Sequence, residues 1–161
     1  MDDAAVTQED LQRFRDIKPE MLDLKIPLVS KGMTRDLLAQ GDHSTFRIHC
    51  YGPNAGETHG LHAHTDEEHL FVILSGTAHF SSIDGELPPL GKHQALWLPK
   101  GCFYEFVNPG PEPLVVLRFG ATREKQSSGP RVTPGGEPIA GRGSQHPEMR
   151  KPTFIEGAFL E

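Results

Sequence analysis

The chain has 161 residues and a formal charge of −6 at pH 7, the size of one domain with extensions and too small for two. Apolar residues make up 36% before glycine is counted, and the 17 glycines bring the share into the ~45–50% of globular chains, which excludes wholesale disorder. The acidic balance and scattered Lys/Arg exclude a nucleic-acid face, no apolar run approaches the ~20 residues that span a bilayer, and the acidic start Met1-Asp2-Asp3 is unlike a signal peptide, so a cytoplasmic location is expected.

Residues 7–17 read as a short helix: Thr7 can cap it, Glu9 and Asp10 suit its positive end, and Pro19 stops it. Leu11 and Phe14 give it a narrow apolar face, so it is expected to dock on something larger. From about residue 33 the pattern changes to short apolar runs: 35–39, 45–51, 61–64, 69–74, 77–82, 94–98, 103–107 and 114–119. Turn signals separate them, among them Gly52-Pro53-Asn54, Asp84-Gly85 and Asn108-Pro109-Gly110. Such a series, without a long amphipathic helix, predicts an all-β sandwich or barrel. The expected organisation is an N-terminal extension over 1–32, the β domain over 33–120 and a Gly/Pro-rich tail over 121–161. That tail ends in apolar residues and is expected to lie along a surface, its own or that of a second copy in a homodimer. Cys50 and Cys102 are expected to be buried free thiols, since two cysteines cannot make a disulfide framework.

Five of the nine histidines, His59, His62, His64, His69 and His79, crowd into one stretch. His62 and His64 are two apart, so in a strand both rings project to one face. His69 shares the parity of Phe71 and Ile73, and if those face a core so does His69. Three imidazoles then point inward from neighbouring strands, an arrangement suited to a metal ion. His79 is expected to face outward, opposite Ala78 and Phe80, and His43, His93 and His146 are expected in loops or turns. The facing of His49 stays open, because Phe46, Ile48 and Cys50 on the opposite parity form the better core stripe. Arg47 and Arg118 are the basic residues inside the strand region that could clamp a carboxylate, and each is expected on the solvated outer face.

The stretch Gly56-x5-His62-x-His64-x4-His69-x6-Gly76 resembles the first cupin motif, G-x5-H-x-H-x3/4-E-x6-G, with His69 at the usual glutamate. Pro99-Lys100-Gly101-Cys102-Phe103-Tyr104-Glu105-Phe106-Val107-Asn108 resembles the second, P-x-G-x2-H-x3-N, with Tyr104 at the usual histidine. The resemblance to the cupin superfamily, in its single-domain RmlC-like form, implies a jelly-roll barrel (double-stranded β-helix) over 33–120. It also implies a divalent metal on His62, His64 and His69, with iron(II) favoured and manganese, nickel or zinc as alternatives. A histidine in place of the glutamate leaves the metal more positive and favours a late first-row ion. Glu67 and Glu68 are possible substitutes, but Glu68 is one residue early and so belongs to the other face. Tyr104 is the catalytic candidate, with three roles open: a phenolate ligand, a hydrogen-bonding or acid/base group to bound substrate, or a core aromatic. His59, Phe71, Ile73 and Phe106 are expected to line a pocket, with Phe46 and Trp97 as neighbours. A largely apolar pocket suits a small aromatic or diketone-type molecule. The function implied is a dioxygenase-like oxidoreductase; a metal-assisted decarboxylase, lyase or isomerase and a non-catalytic small-molecule-binding cupin are the alternatives.

Overall fold

The structure, a computed structural model, describes residues 6–56, 60–123, 131–139 and 151–161. Among the described residues one helix, α1 (Gln8–Asp16), precedes fourteen strands. Thr7 caps α1 through a reciprocal capping box: its hydroxyl accepts from the Asp10 N–H, and the Asp10 carboxylate accepts from the Thr7 N–H. The expected docking does not occur among the described residues. No residue of α1 is buried, and Leu11 and Phe14 stay 38% and 48% exposed. Two apolar side chains in nine residues offer too little area to hold a helix onto a sheet, and its local caps suffice to form it.

The strands are β1 (Pro27–Lys31), β2 (Met33–Gln40), β3 (Ser44–Tyr51), β4 (Ala63–His64), β5 (Glu67–Ser75), β6 (Thr77–Ser82), β7 (Gly85–Glu86), β8 (Leu90–Gly91), β9 (Ala95–Leu98), β10 (Tyr104–Val107), β11 (Leu114–Thr122), β12 (Arg131–Val132), β13 (Pro138–Ile139) and β14 (Thr153–Phe159). A five-stranded antiparallel sheet runs β2-β3-β11-β5-β9 and faces β10-β6-β7, with β8 also paired to β6. A third sheet, β13-β12-β4, carries His64, and β1 pairs with β14 as a separate ribbon. All eight strands expected from the apolar runs are present. The short β7, β8, β12 and β13 and the ribbon strands β1 and β14 carry no alternation long enough to read.

Alternation, interrupted by register shifts at Leu37/Ala39 and Val115/Val116, divides the five-stranded sheet into two faces. Tyr51, Phe71, Ile73, Leu98, Leu114 and Val116 pack inward on Ala78, Phe80, Tyr104 and Phe106 to make the main core. On the reverse face Ile48, Cys50 and Val115 meet Ile26 and Val29 in a second core, roofed by the β1/β14 ribbon. Of the described part of the tail, β14 pairs with β1 on the chain's own surface. This two-sided burial explains His49. Its neighbours of opposite parity do form a core stripe, but beneath the ribbon, and His49 projects into the interior. Phe46 also points to the reverse face, where its ring packs at a tilt against that of Phe119 with centroids 4.7 Å apart, and Trp97 is 49% exposed; neither neighbours the site. Cys50 and Cys102 are free thiols, Cys50 buried as expected and Cys102 only partly so.

Motif residues hold this frame. Gly76 lies at φ +77°, and a Cβ there would come 2.6 Å from the carbonyl oxygen of Pro113, so a side chain would part β5 and β6 from the chain entering β11. Buried Asn108 donates its amide to the carbonyls of Tyr51 (3.1 Å), Gly52 (3.2 Å) and Glu112 (2.8 Å) and accepts from the Gly110 N–H (3.1 Å). It thereby ties the end of β3 to the β10–β11 turn.

Candidate metal centre

Four segments converge at one end of the interior. His62 and Tyr104 exchange backbone hydrogen bonds, 3.1 Å from the His62 N–H to the Tyr104 carbonyl and 2.9 Å in return, which docks the segment before β4 on β10. The Gly101 N–H donates to the His64 carbonyl at 2.7 Å and holds β4 in place. Alternation in β5 puts Glu67 and His69 on the inner face, and β11 brings Arg118 beside them.

Glu67 is at the centre of the geometry. Its Oε2 lies 3.4 Å from His64 Nδ1 and 3.1 Å from His69 Nε2, and its Oε1 accepts from Arg118 at 3.4 Å. One ligand atom each from His64, Glu67 and His69 fall within 4.8 Å of one another, close enough to hold one ion. The His62 ring lies 5.3 Å from that of His64. Its Nδ1–H donates to the Gly60 carbonyl at 2.7 Å, which leaves the lone pair on Nε2. Tyr104 points inward as expected, its hydroxyl 3.3 Å from His69 Nδ1 and its ring 4.8 Å from that of His62.

The electrostatics suit a cation. Burial, reinforced by His69 and Arg118, holds the His64 imidazole far below its ordinary range and hence neutral. Burial pushes the Glu67 carboxyl up, but the hydrogen bond with His69 and the nearby Arg118 guanidinium outweigh it, and the group is held below the usual carboxylate range. Two imidazoles, one of them held neutral, and an ionised carboxylate are the protonation states metal binding requires. Gly120, paired with His69 across β11 and β5, makes the room, because a Cβ there would collide with the Glu67 carboxylate. The donor set therefore fits a divalent metal.

His62, His64, His69 and Tyr104 are gathered here as their spacing indicated, and Phe71 touches the site, its ring 6.0 Å from His69 and 5.7 Å from Tyr104. Ile73 and Phe106 lie deeper in the core, and His59 lies outside the described residues. Two residues named only in passing from the sequence, Glu67 as a possible substitute ligand and Arg118 as an outer-face residue, prove to be participants. Glu67 lies two residues before His69 and so shares its face, a signal visible in the alternation. Arg118 is only 15% exposed at its side chain and contacts His69 Nε2 as well as Glu67, so the outer-face expectation is wrong for it. Register decides the matter: Arg118 pairs with Phe71 and Arg47, both of inner parity. Glu68 falls on the other face, as expected, paired with Ala121. His79 is exposed between buried Ala78 and Phe80.

A double-sheet jelly roll that gathers histidines and one carboxylate at the end of its interior defines a class of small β proteins able to bind metal. Residues 50–119 match the cupin domain family model, which marks this stretch of the chain as a cupin domain. It is similar in fold to a cupin superfamily protein from Desulfitobacterium hafniense DCB-2 (TM-score 0.53, 15% identity, 60% of this chain and 84% of that one). The cupin domain of Schizosaccharomyces pombe Cnp3 is another such structure (TM-score 0.52, 16% identity, 58% and 67%). In sequence, 92 residues are 29% identical to the mannose-1-phosphate guanylyltransferase of Escherichia coli (strain K12), covering 56% of this chain and 19% of that enzyme's length.

Proposed function

We propose that this chain is a metal-dependent small-molecule cupin enzyme, a dioxygenase-type oxidoreductase. The observation that carries the reading is the convergence of His64, Glu67 and His69 within 4.8 Å. Two histidines and one carboxylate with positions left open form the donor set that suits non-haem iron(II); manganese, nickel and zinc are the other candidates. Iron held there would supply redox chemistry with dioxygen toward a chelating substrate. His62 stands beside the set as a further imidazole. Tyr104 acts through His69: a hydroxyl accepts as well as donates, so with a metal ion in place of the proton that His69 Nε2 gives to Glu67, it would take the Nδ1–H and leave the Nε2 lone pair for the ion. Phe71 supplies an apolar wall suited to a small aromatic or diketone-type substrate.

Metal analysis of protein supplemented with iron, manganese, nickel and zinc tests the first half of the reading. Near-stoichiometric metal is expected, falling to background in Glu67→Ala and unchanged in Glu68→Ala; below about 0.1 metal per chain the protein is a binding module instead. Oxygen uptake against diketones, catechols and flavonols tests the second half. A metal-loaded protein that consumes no oxygen with any of them points to decarboxylase, lyase or isomerase chemistry.

A further inference from the structure

The inner face of the five-stranded sheet carries a basic patch next to the metal candidates. Arg47 on β3 and Arg118 on β11 are directly paired, and one step along, His49 on β3 pairs with Arg35 on β2. Like charges directly opposite one another on a sheet face cost stability, and this pair sits in a chain whose net charge is −6. Side-chain exposure rises from 1% at His69 to 9% at Glu67 and 15% at Arg118. Arg47 is half-buried, and Arg35 and Leu37, still of inner parity, are exposed. The concave face therefore opens to solvent along the arginines, and a molecule reaching His64, Glu67 and His69 from that side passes them. Beneath lies His49, 3% exposed, its Nδ1 bonded to the Tyr51 hydroxyl at 2.8 Å and its Nε2 without any hydrogen bond. A buried ring nitrogen left unsatisfied costs free energy that a ligand oxygen can recover.

We propose that Arg47 and Arg118 grip the carboxylate of a small organic acid, with His49 Nε2 donating from below, while the rest of the molecule reaches the His64, Glu67 and His69 group. Two planar guanidinium forks match the two oxygens of a carboxylate. Arg118, with five N–H donors, can serve Glu67 and the ligand at once. The local positive field draws anions to an otherwise acidic protein. As an assignment of substrate class, the inference rests on the metal-dependent reading of the same site, but its test does not.

Calorimetric titration of benzoate, its neutral isostere benzamide and inorganic phosphate into the full chain, with and without zinc, decides it. Benzoate is expected to bind at least about 10-fold more tightly than benzamide in either state. Arg47→Gln is expected to lose about 10-fold or more for benzoate, with benzamide binding and zinc stoichiometry unchanged, and Arg47→Lys to fall between. His49→Phe is expected to weaken benzoate by a smaller factor. Equal binding of benzoate and benzamide, or an unaltered Arg47→Gln, overturns the proposal, and so does phosphate binding more tightly than benzoate. A chain that takes up no metal yet binds benzoate through Arg47 keeps the anion site and removes the proposed enzymatic function.

Discussion

A tyrosine bonded to the far nitrogen of a histidine acts on whatever that histidine holds. Tyr104→Phe is therefore expected to keep the fold, since the ring and its contacts with His62 and Phe71 remain, and to weaken metal affinity by about 10-fold through loss of the Nδ1 partner. Zinc competition against a chromogenic chelator reads this directly; an unchanged affinity would show that Tyr104 only fills space. His49 makes a second residue-scale prediction. Burial, then Arg35, Arg118 and Arg47, hold its imidazole well below the ordinary range, so it stays neutral in the folded protein and gains a proton in the unfolded chain below about pH 6.5. Where the unfolded state binds more protons, stability rises with pH. Unfolding free energy is accordingly expected to fall on acidification through pH 6.5, by up to about 1.4 kcal/mol per unit from this residue. Urea titrations between pH 5 and 8 measure the slope, and His49→Phe is expected to flatten it by one proton. Glu67, held low, adds stability above its unfolded range that is lost as pH falls below it, so it steepens the decline only at lower pH.

At the scale of elements, alternation in β3, β5 and β11 determines what the site contains. On β5 the same parity sends Glu67, His69, Phe71 and Ile73 inward, and from residue 67 onward ligand, wall and core follow from one period of two. Helix α1 is the opposite case, an element with ends but no docking face. Thr7→Ala removes the capping hydroxyl and is expected to cost about 1 kcal/mol of local helix stability. Because α1 buries nothing, the loss is expected in faster amide exchange over residues 8–16, with the global melting temperature unmoved. A lowered melting temperature would mean that the helix packs on the domain after all.

In the whole molecule, segments far apart in sequence close the structure. β1 pairs with β14, and Val29, fully buried, packs on the reverse face of the main sheet. Val29→Ala is expected to destabilise the whole domain by on the order of 2 kcal/mol, seen as a lower urea midpoint with unchanged cooperativity. Loss confined to the tail would show that the ribbon unfolds independently.

The eight principal strands, the helix caps and the inward turn of His62, His64, His69 and Tyr104 could all be read from residue order, because period-two alternation and turn chemistry are local. So could the motif glycines and Asn108, whose roles are close approach and turn closure. The locations of His49 and Arg118, and the match of Glu67 with two imidazoles, could not. A strand buried on both faces offers two apolar parities, and only the sheet register and the ribbon that covers the reverse face decide which one looks inward. Residue order alone therefore determined a cupin jelly roll with clustered histidines. Tertiary structure decided that a carboxylate sits among them and that arginines flank it, since contacts between β5 and β11, some 50 residues apart in the chain, exist only once the sheet has formed.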